Sequence, residues 1–147
     1  MQRTIRHILE VKGHDVWSIG PKASVYDALR MMSYKNVGAL VILEGDEMVG
    51  IMSERDYARK VVLLGQTSDE TLVEEIMSKH VHTIHPDQTI EEAMEIMNSN
   101  HIRHLPVVDD NDDGKRVLGM ITIRDVVKAI IFKQLAEIKE MEDKIGS

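Results

Sequence analysis

The side chains best suited to chemistry in this sequence occur in two copies of one string. Gly50-Ile51-Met52-Ser53-Glu54-Arg55-Asp56 is matched by Gly119-Met120-Ile121-Thr122-Ile123-Arg124-Asp125. Each copy carries a glycine, a hydroxyl three residues on and a carboxylate three further, with an arginine beside it. A hydroxyl, a guanidinium and a carboxylate can recognise a polar ligand through hydrogen bonds and ion pairing. The same residues also have a plainer use. Ser-x-x-Asp and Thr-x-x-Asp are helix N-terminal signatures that satisfy free backbone N–H groups with no ligand at all. Spacing alone favours the cap, and residue type leaves both readings open.

Bond-making chemistry finds less support. The chain has no cysteine, which removes disulfides, thiolate metal sites and cysteine nucleophiles together. It shows no paired general acid and base and no Walker-type glycine loop, so a nucleotide hydrolase has nothing to work with and no enzyme is expected. His80, His82 and His85, with His101 and His104, raise the question of a metal centre. No carboxylate is spaced with the first three as a zinc motif requires, and no metal is expected. The run Asp109-Asp110-Asn111-Asp112-Asp113-Gly114 is faintly similar to a calcium loop but lacks the closing glutamate. It reads as a solvated hairpin turn.

Composition narrows the setting for these groups. A hydrophobic fraction of 43% and a charged fraction of 29% over 147 residues are those of a globular protein. The net charge of -7 argues against nucleic acid as a partner, since neutralising phosphates needs a basic face. The N-terminal stretch has no apolar run of signal-peptide length, and no segment approaches the roughly 18 apolar residues of a membrane span. A cytoplasmic location is therefore expected. Aromatic residues make up only 3% while there are 10 methionines, which predicts an aliphatic, methionine-rich core.

The elements that position the two strings are themselves duplicated. Val16-Trp17-Ser18-Ile19-Gly20-Pro21 aligns with Val81-His82-Thr83-Ile84-His85-Pro86, 65 positions on, and Leu40–Leu43 aligns with Leu105–Val108 at the same offset. Ser24 with Asp27, and Thr89 with Glu92, read as helix N-caps, and the apolar positions that follow recur at helical spacing. An apolar run, a polar turn and a second apolar run then predict strand, hairpin and strand. A second helix begins at Ser53 or Thr122. Each unit is thus about β-α-β-β-α, too small alone to bury much surface, and two packed sheet to sheet should share one core. Thr71–Met77 predicts a short capped helix in the linker, with Thr4–Leu9 as its counterpart. Ala129–Ile145 predicts a long charged helix with a rough apolar stripe that needs a partner surface.

Duplicated in one order, these pieces resemble a tandem pair of CBS (cystathionine beta-synthase) domains, a Bateman module. His101-Ile102-Arg103-His104-Leu105-Pro106-Val107 adds to the likeness. The resemblance runs from about Thr4 to about Phe132 and is closest to small stand-alone CBS-pair proteins of bacteria and plant organelles. It implies an α/β fold of two β-α-β-β-α units packed through their sheets with pseudo-twofold symmetry, plus a C-terminal helix. The units would be 1–66 and 67–133, and the helical tail 134–147. The resemblance also implies a non-catalytic regulatory module that binds an adenine nucleotide, namely AMP, ADP, ATP or NAD(H), with S-adenosylmethionine ranked behind them. Such a module would report energy or redox state to a separate protein, as a homodimer. A ligand-free interaction module is the alternative.

Two clefts are implied by the same resemblance. Site A would join Ser53, Arg55 and Asp56 to Thr83, Ile84, Pro86, Ile102, Arg103, His104 and Pro106. Site B would join Thr122, Arg124 and Asp125 to Ser18, Ile19, Pro21, Val37, Gly38 and Ala39. The aspartate would hold vicinal ribose hydroxyls. The helix start and the arginine would hold phosphate, and adenine would lie between Ile84 and Ile102. Site A gathers Arg55, Arg103 and His104, whereas in site B Arg124 faces neutral Gly38 and Ala39. Charge therefore favours site A for an anionic ligand.

Overall fold

The computed structural model describes residues 3–109 and 116–146. The polar turn expected at Asp110–Gly114 lies outside the described residues. Elements run α1 (Ile5–Lys12), β1 (Ser18–Ile19), α2 (Val25–Lys35), β2 (Ala39–Glu44), β3 (Glu47–Ser53), α3 (Glu54–Tyr57), α4 (Val73–Ile76), α5 (Ile90–Asn100), β4 (His104–Val108), β5 (Val117–Thr122) and α6 (Ile123–Gly146). The expected caps form: Ser24 Oγ accepts from the Asp27 N–H at 3.0 Å, and Thr89 Oγ1 from the Glu92 N–H at 3.1 Å. α2 and α5 end alike, with Asn36 and His101 in the left-handed region at φ 56° and 53°.

In the first unit β1 runs parallel to β2, and β2 pairs antiparallel with β3, Val41 opposite Ile51. In the second, β4 pairs antiparallel with β5, Leu105 opposite Ile121. The counterpart of β1 shrinks to a single parallel bridge between Ile84 and Val107. The central strands are covered on both faces. Leu40 and Ile42 enter one core and Leu105 and Val107 the other, yet Ala39, Val41, Pro106 and Val108 are buried too.

The single shared core expected from the sequence is divided in two, and the helices that complete the two halves are exchanged. α1 contributes Ile5, Ile8 and Leu9 to the cluster of the second unit, around Ile90, Met97, Leu105 and Ile121. α4, from the linker, contributes Val73 and Ile76 to the first unit's cluster around Val25, Met32, Leu40 and Met52. Boundaries at 66/67 follow chain order, but the packing crosses them in both directions. Matching main-chain bonds seat the helices: the Arg6 N–H donates to the Pro86 carbonyl at 2.8 Å, and the Glu74 N–H to the Pro21 carbonyl at 3.0 Å.

The glycine of each repeated string gives these helices their seat. A Cβ on Gly50 would stand 2.7 Å from Met77 Sδ and 3.0 Å from the Ser78 carbonyl oxygen; one on Gly119 would stand 2.7 Å from Leu9 Cδ2. Side-chain-free backbone is what lets the exchanged segment approach at both places.

The tail forms one helix with the second unit's last helix, because no glycine or proline interrupts Ile123–Ile145. Val126 is buried against the second core, but Leu135, Ile138, Met141 and Ile145 are exposed. No helix among the described residues is long and apolar enough to cross a membrane.

Gly119→Ala and Gly50→Ala are each expected to lower stability by about 1–3 kcal/mol through overpacking, measured by urea unfolding. Gly50→Ala should cost more, since its added methyl meets the Ser78 backbone and not only the end of a flexible side chain.

Candidate functional site

Between the two units a cleft of about 1100 Å³ opens beside the first repeated string. Ser53, Arg55 and Asp56 stand on one wall; Ile102, Arg103 and His104 stand on the other. The Ser53 main-chain N–H donates to Asp56 Oδ2 at 2.9 Å, the Ser53 hydroxyl lies 3.1 Å from the same oxygen, and the Asp56 N–H donates back to Ser53 Oγ at 3.2 Å. Both readings of the string are thus met by one geometry: the residues cap the helix and also face the cavity. α3 is a single turn that passes into a wider π-helical turn over Ala58–Val62. Its dipole is therefore short, and side-chain charge dominates the electrostatics of the wall.

That charge is positive. Arg59 and Lys60 line the cleft beside Arg55 and Arg103, against Glu54 and Asp56. Arg55 Nη1 donates to the His101 carbonyl at 2.6 Å, tying the first unit to the left-handed corner at the end of α5. Lys60 Nζ donates to the Ile76 carbonyl at 2.8 Å and lies 3.3 Å from Asp56 Oδ1, to which the Ser78 hydroxyl also donates at 3.3 Å. The segment leaving α4 adds His80 and His82, whose rings meet edge to face at 5.3 Å. Among the described residues no three potential ligands converge on a metal position.

A second, smaller cleft of about 570 Å³ lies beside the other string. Val37, Gly38 and Thr122 reach its wall; Asp125 does not. Lys12 Nζ donates to Asp125 Oδ2 at 2.6 Å and to the Met120 carbonyl at 2.8 Å.

The other expected site residues lie off the cleft walls. Ile84 is buried in the second core and Pro86 beneath the start of α1. Pro106 is buried within β4, with its carbonyl accepting from the Ile84 N–H at 3.1 Å, and Thr83 adjoins this segment without lining the cleft. Ile84 does not line the cleft, because its side chain completes a core. On the other side Ser18 and Ile19 are committed to β1, Pro21 receives α4, Ala39 is buried and Arg124 is exposed outside the cavity. Sequence reasoning missed Ser78, Arg59 and Lys60, and it treated His80 and His82 only as possible metal ligands. The proximity of Ser78, His80 and His82 depends on the docking of α4, which nothing in their own spacing reports, whereas Arg59 and Lys60 follow the string on the π-helical turn.

The family model for the CBS domain matches the chain twice, over residues 6–63 and 73–132. This chain belongs to the CBS domain family. The mitochondrial CBS domain-containing protein CBSX3 of Arabidopsis thaliana is 38% identical over 123 residues, covering 80% of this chain and 58% of the plant protein. The chain thus spans less than two thirds of that relative's length. A putative signal-transduction protein with CBS domains from Burkholderia ambifaria is 40% identical with a TM-score of 0.83, covering 90% of this chain and 96% of that one. The CBS domain pair of protein MJ0100, solved with 5′-methylthioadenosine and S-adenosyl-L-methionine, is 26% identical with a TM-score of 0.76, covering 90% and 99%.

In this CBS pair the two clefts share a wall at His104. Its ring packs on Gly38, where a Cβ would stand 3.2 Å from Nε2. Burial holds the His104 pKa below the ordinary histidine value of 6.5; Glu54 opposes the shift, Lys12 and Arg103 add to it, and Asp125 opposes it. Below about pH 6.5 the unfolded chain therefore binds a proton that the folded protein resists. Stability from neutral His104 is full above that pH and drains as pH falls. Urea midpoints measured from pH 7.5 to 5 should fall less steeply in His104→Gln than in the unaltered protein.

Proposed function

We propose that this CBS pair is a non-catalytic regulatory module that binds an adenine nucleotide in the larger cleft and alters its contact with a separate protein in response. The observation that carries this reading is the first repeated string opening, with Ser53, Arg55 and Asp56 together, onto a cation-lined cavity between the units. Asp56 accepts hydrogen bonds from ribose hydroxyls; Arg55, Arg59, Lys60 and Arg103 offer charge-assisted bonds to phosphate. Ile102 and the α5 methionines Met94 and Met97 provide an apolar surface for the base. The adenosine-containing ligands of MJ0100, a pair that aligns over nearly all of its length, support the ligand class. The positive lining favours AMP, ADP, ATP or NAD(H) over the cationic sulfonium of S-adenosylmethionine.

Because the walls come from both units, a ligand that bridges them favours one arrangement of the units over another, which is what regulation by linkage requires. The exposed apolar positions of α6 supply a surface for a second copy or for the regulated protein.

Thermal unfolding with AMP, ADP, ATP, NAD⁺, NADH or S-adenosylmethionine, each at about 1 mM, tests the reading. A ligand at about 100 times its Kd adds about 2.7 kcal/mol, a shift of several degrees. The shift is expected with at least one phosphate-bearing compound and should vanish in Asp56→Ala. That variant also loses a cap and starts from a lower Tm, so the readout is the ligand-induced difference within each protein. No shift with any compound would leave an interaction module whose hydroxyls and carboxylates only cap helices.

A further inference from the structure

The two halves of the molecule differ beside the two repeated strings. In the first unit, the Ser78 N–H donates to the Ile51 carbonyl at 2.8 Å and the Ser78 hydroxyl to Asp56 at 3.3 Å. The corresponding acceptors of the second unit are the Met120 carbonyl and Asp125. One group serves both: the Lys12 ammonium, at 2.8 and 2.6 Å. The first aspartate also meets an ammonium, Lys60 at 3.3 Å, but both groups stand on the wall of the larger cleft. The second aspartate is covered by a cation from the last turn of α1, and its carboxylate is absent from the cavity wall that Thr122 still reaches. The mouths differ too. His82 and Asn100 line the larger cleft, while their repeat equivalents, 65 positions earlier, are Trp17 and Lys35. These stack on each other, the Lys35 ammonium 4.2 Å from the Trp17 ring centroid.

We infer that Lys12 is the residue that decides which cleft takes ligand: its ammonium occupies the hydrogen-bonding position at Asp125 that a nucleoside's vicinal hydroxyls would need, so the second cleft is closed from within. The inference rests on the proposed nucleotide binding and adds its stoichiometry and the side chain that sets it. At 2.6 Å the Lys12 ammonium takes the Asp125 lone pair on its side from outside the second cleft, whereas Lys60, 3.3 Å from Asp56, lines the larger cleft and can turn to a phosphate there. A ligand therefore gains little at Asp125 while Lys12 is present. Replacing Lys12 by serine removes that ammonium and frees the second carboxylate towards its cleft.

Isothermal titration of the full chain with AMP, ADP and ATP separately tests this, using the unaltered protein, Lys12→Ser and the double variant Lys12→Ser with Asp125→Ala. Circular dichroism confirms that each is folded. Lys12→Ser is expected to bind one more equivalent per chain than the unaltered protein, and the double variant to lose it. An unaltered protein that already binds two equivalents, or a folded Lys12→Ser protein that gains none, overturns the inference. If the unaltered protein binds nothing while Lys12→Ser binds one equivalent that depends on Asp125, the larger-cleft reading fails and the role of Lys12 stands.

Discussion

Bare backbone under a side chain is the contact on which this molecule depends. Leu9 lies on Gly119 and Met77 on Gly50, closer than any residue with a Cβ would permit. Each half has too few strands and helices to enclose its own apolar surface. The missing layer is a helix that precedes the unit housed on the other side of the molecule. Once α1 and α4 are seated, the segments that leave them have little freedom. Ser78, His80 and His82 are drawn along the first string, and Lys12 and His14 along the second, where His14 Nδ1 lies 3.0 Å from the Leu118 carbonyl oxygen. Part of the lining of the first cleft, and the partner of Asp125 beside the second, are therefore set by residues at or just downstream of a packing contact.

Symmetry in the backbone and asymmetry in the side chains divide the work. The duplication supplies two clefts with equivalent strings, equivalent helix ends and a common wall at His104. Substitution then makes them unequal, with Arg103 where the first unit has Gly38, and His82 where it has Trp17. In a chain of net charge -7, the concentration of arginine and lysine on one of the clefts sets its potential apart from that of the molecule as a whole.

Much of this was legible in the residues. Offsets of 65 and 69 positions exposed the duplication, Ser24 and Thr89 announced their helices, and the extra charge of the first cleft could be counted before its shape was known. What could not be read was the exchange of α1 and α4. Ile5, Ile8 and Leu9 form an apolar face at helical spacing, and such a face states only that it must be covered, not by which unit. The same gap explains why several expected site residues lie off the cleft walls. Ile84, Pro86 and Pro106 have the types expected of a pocket wall, but a proline or isoleucine suits a core equally well, and here the exchanged helix and the neighbouring strand take them. Lys12 gave no signal because its partners lie more than a hundred positions away.

The exchange also imposes an order on how the chain can fold. During synthesis from the N-terminus, α1 emerges about a hundred residues before its seat at Gly119 and Ile121. The first unit can close as soon as α4 is made, whereas Ile5, Ile8 and Leu9 must wait, uncovered, until the second unit appears. The two halves therefore mature unequally. The first is a local event, and the second closes a loop of about a hundred residues, the kind of long-range contact that slows folding and leaves apolar surface exposed in the interval. Lys12, at the end of the waiting helix, meets Asp125 only when that last loop is closed.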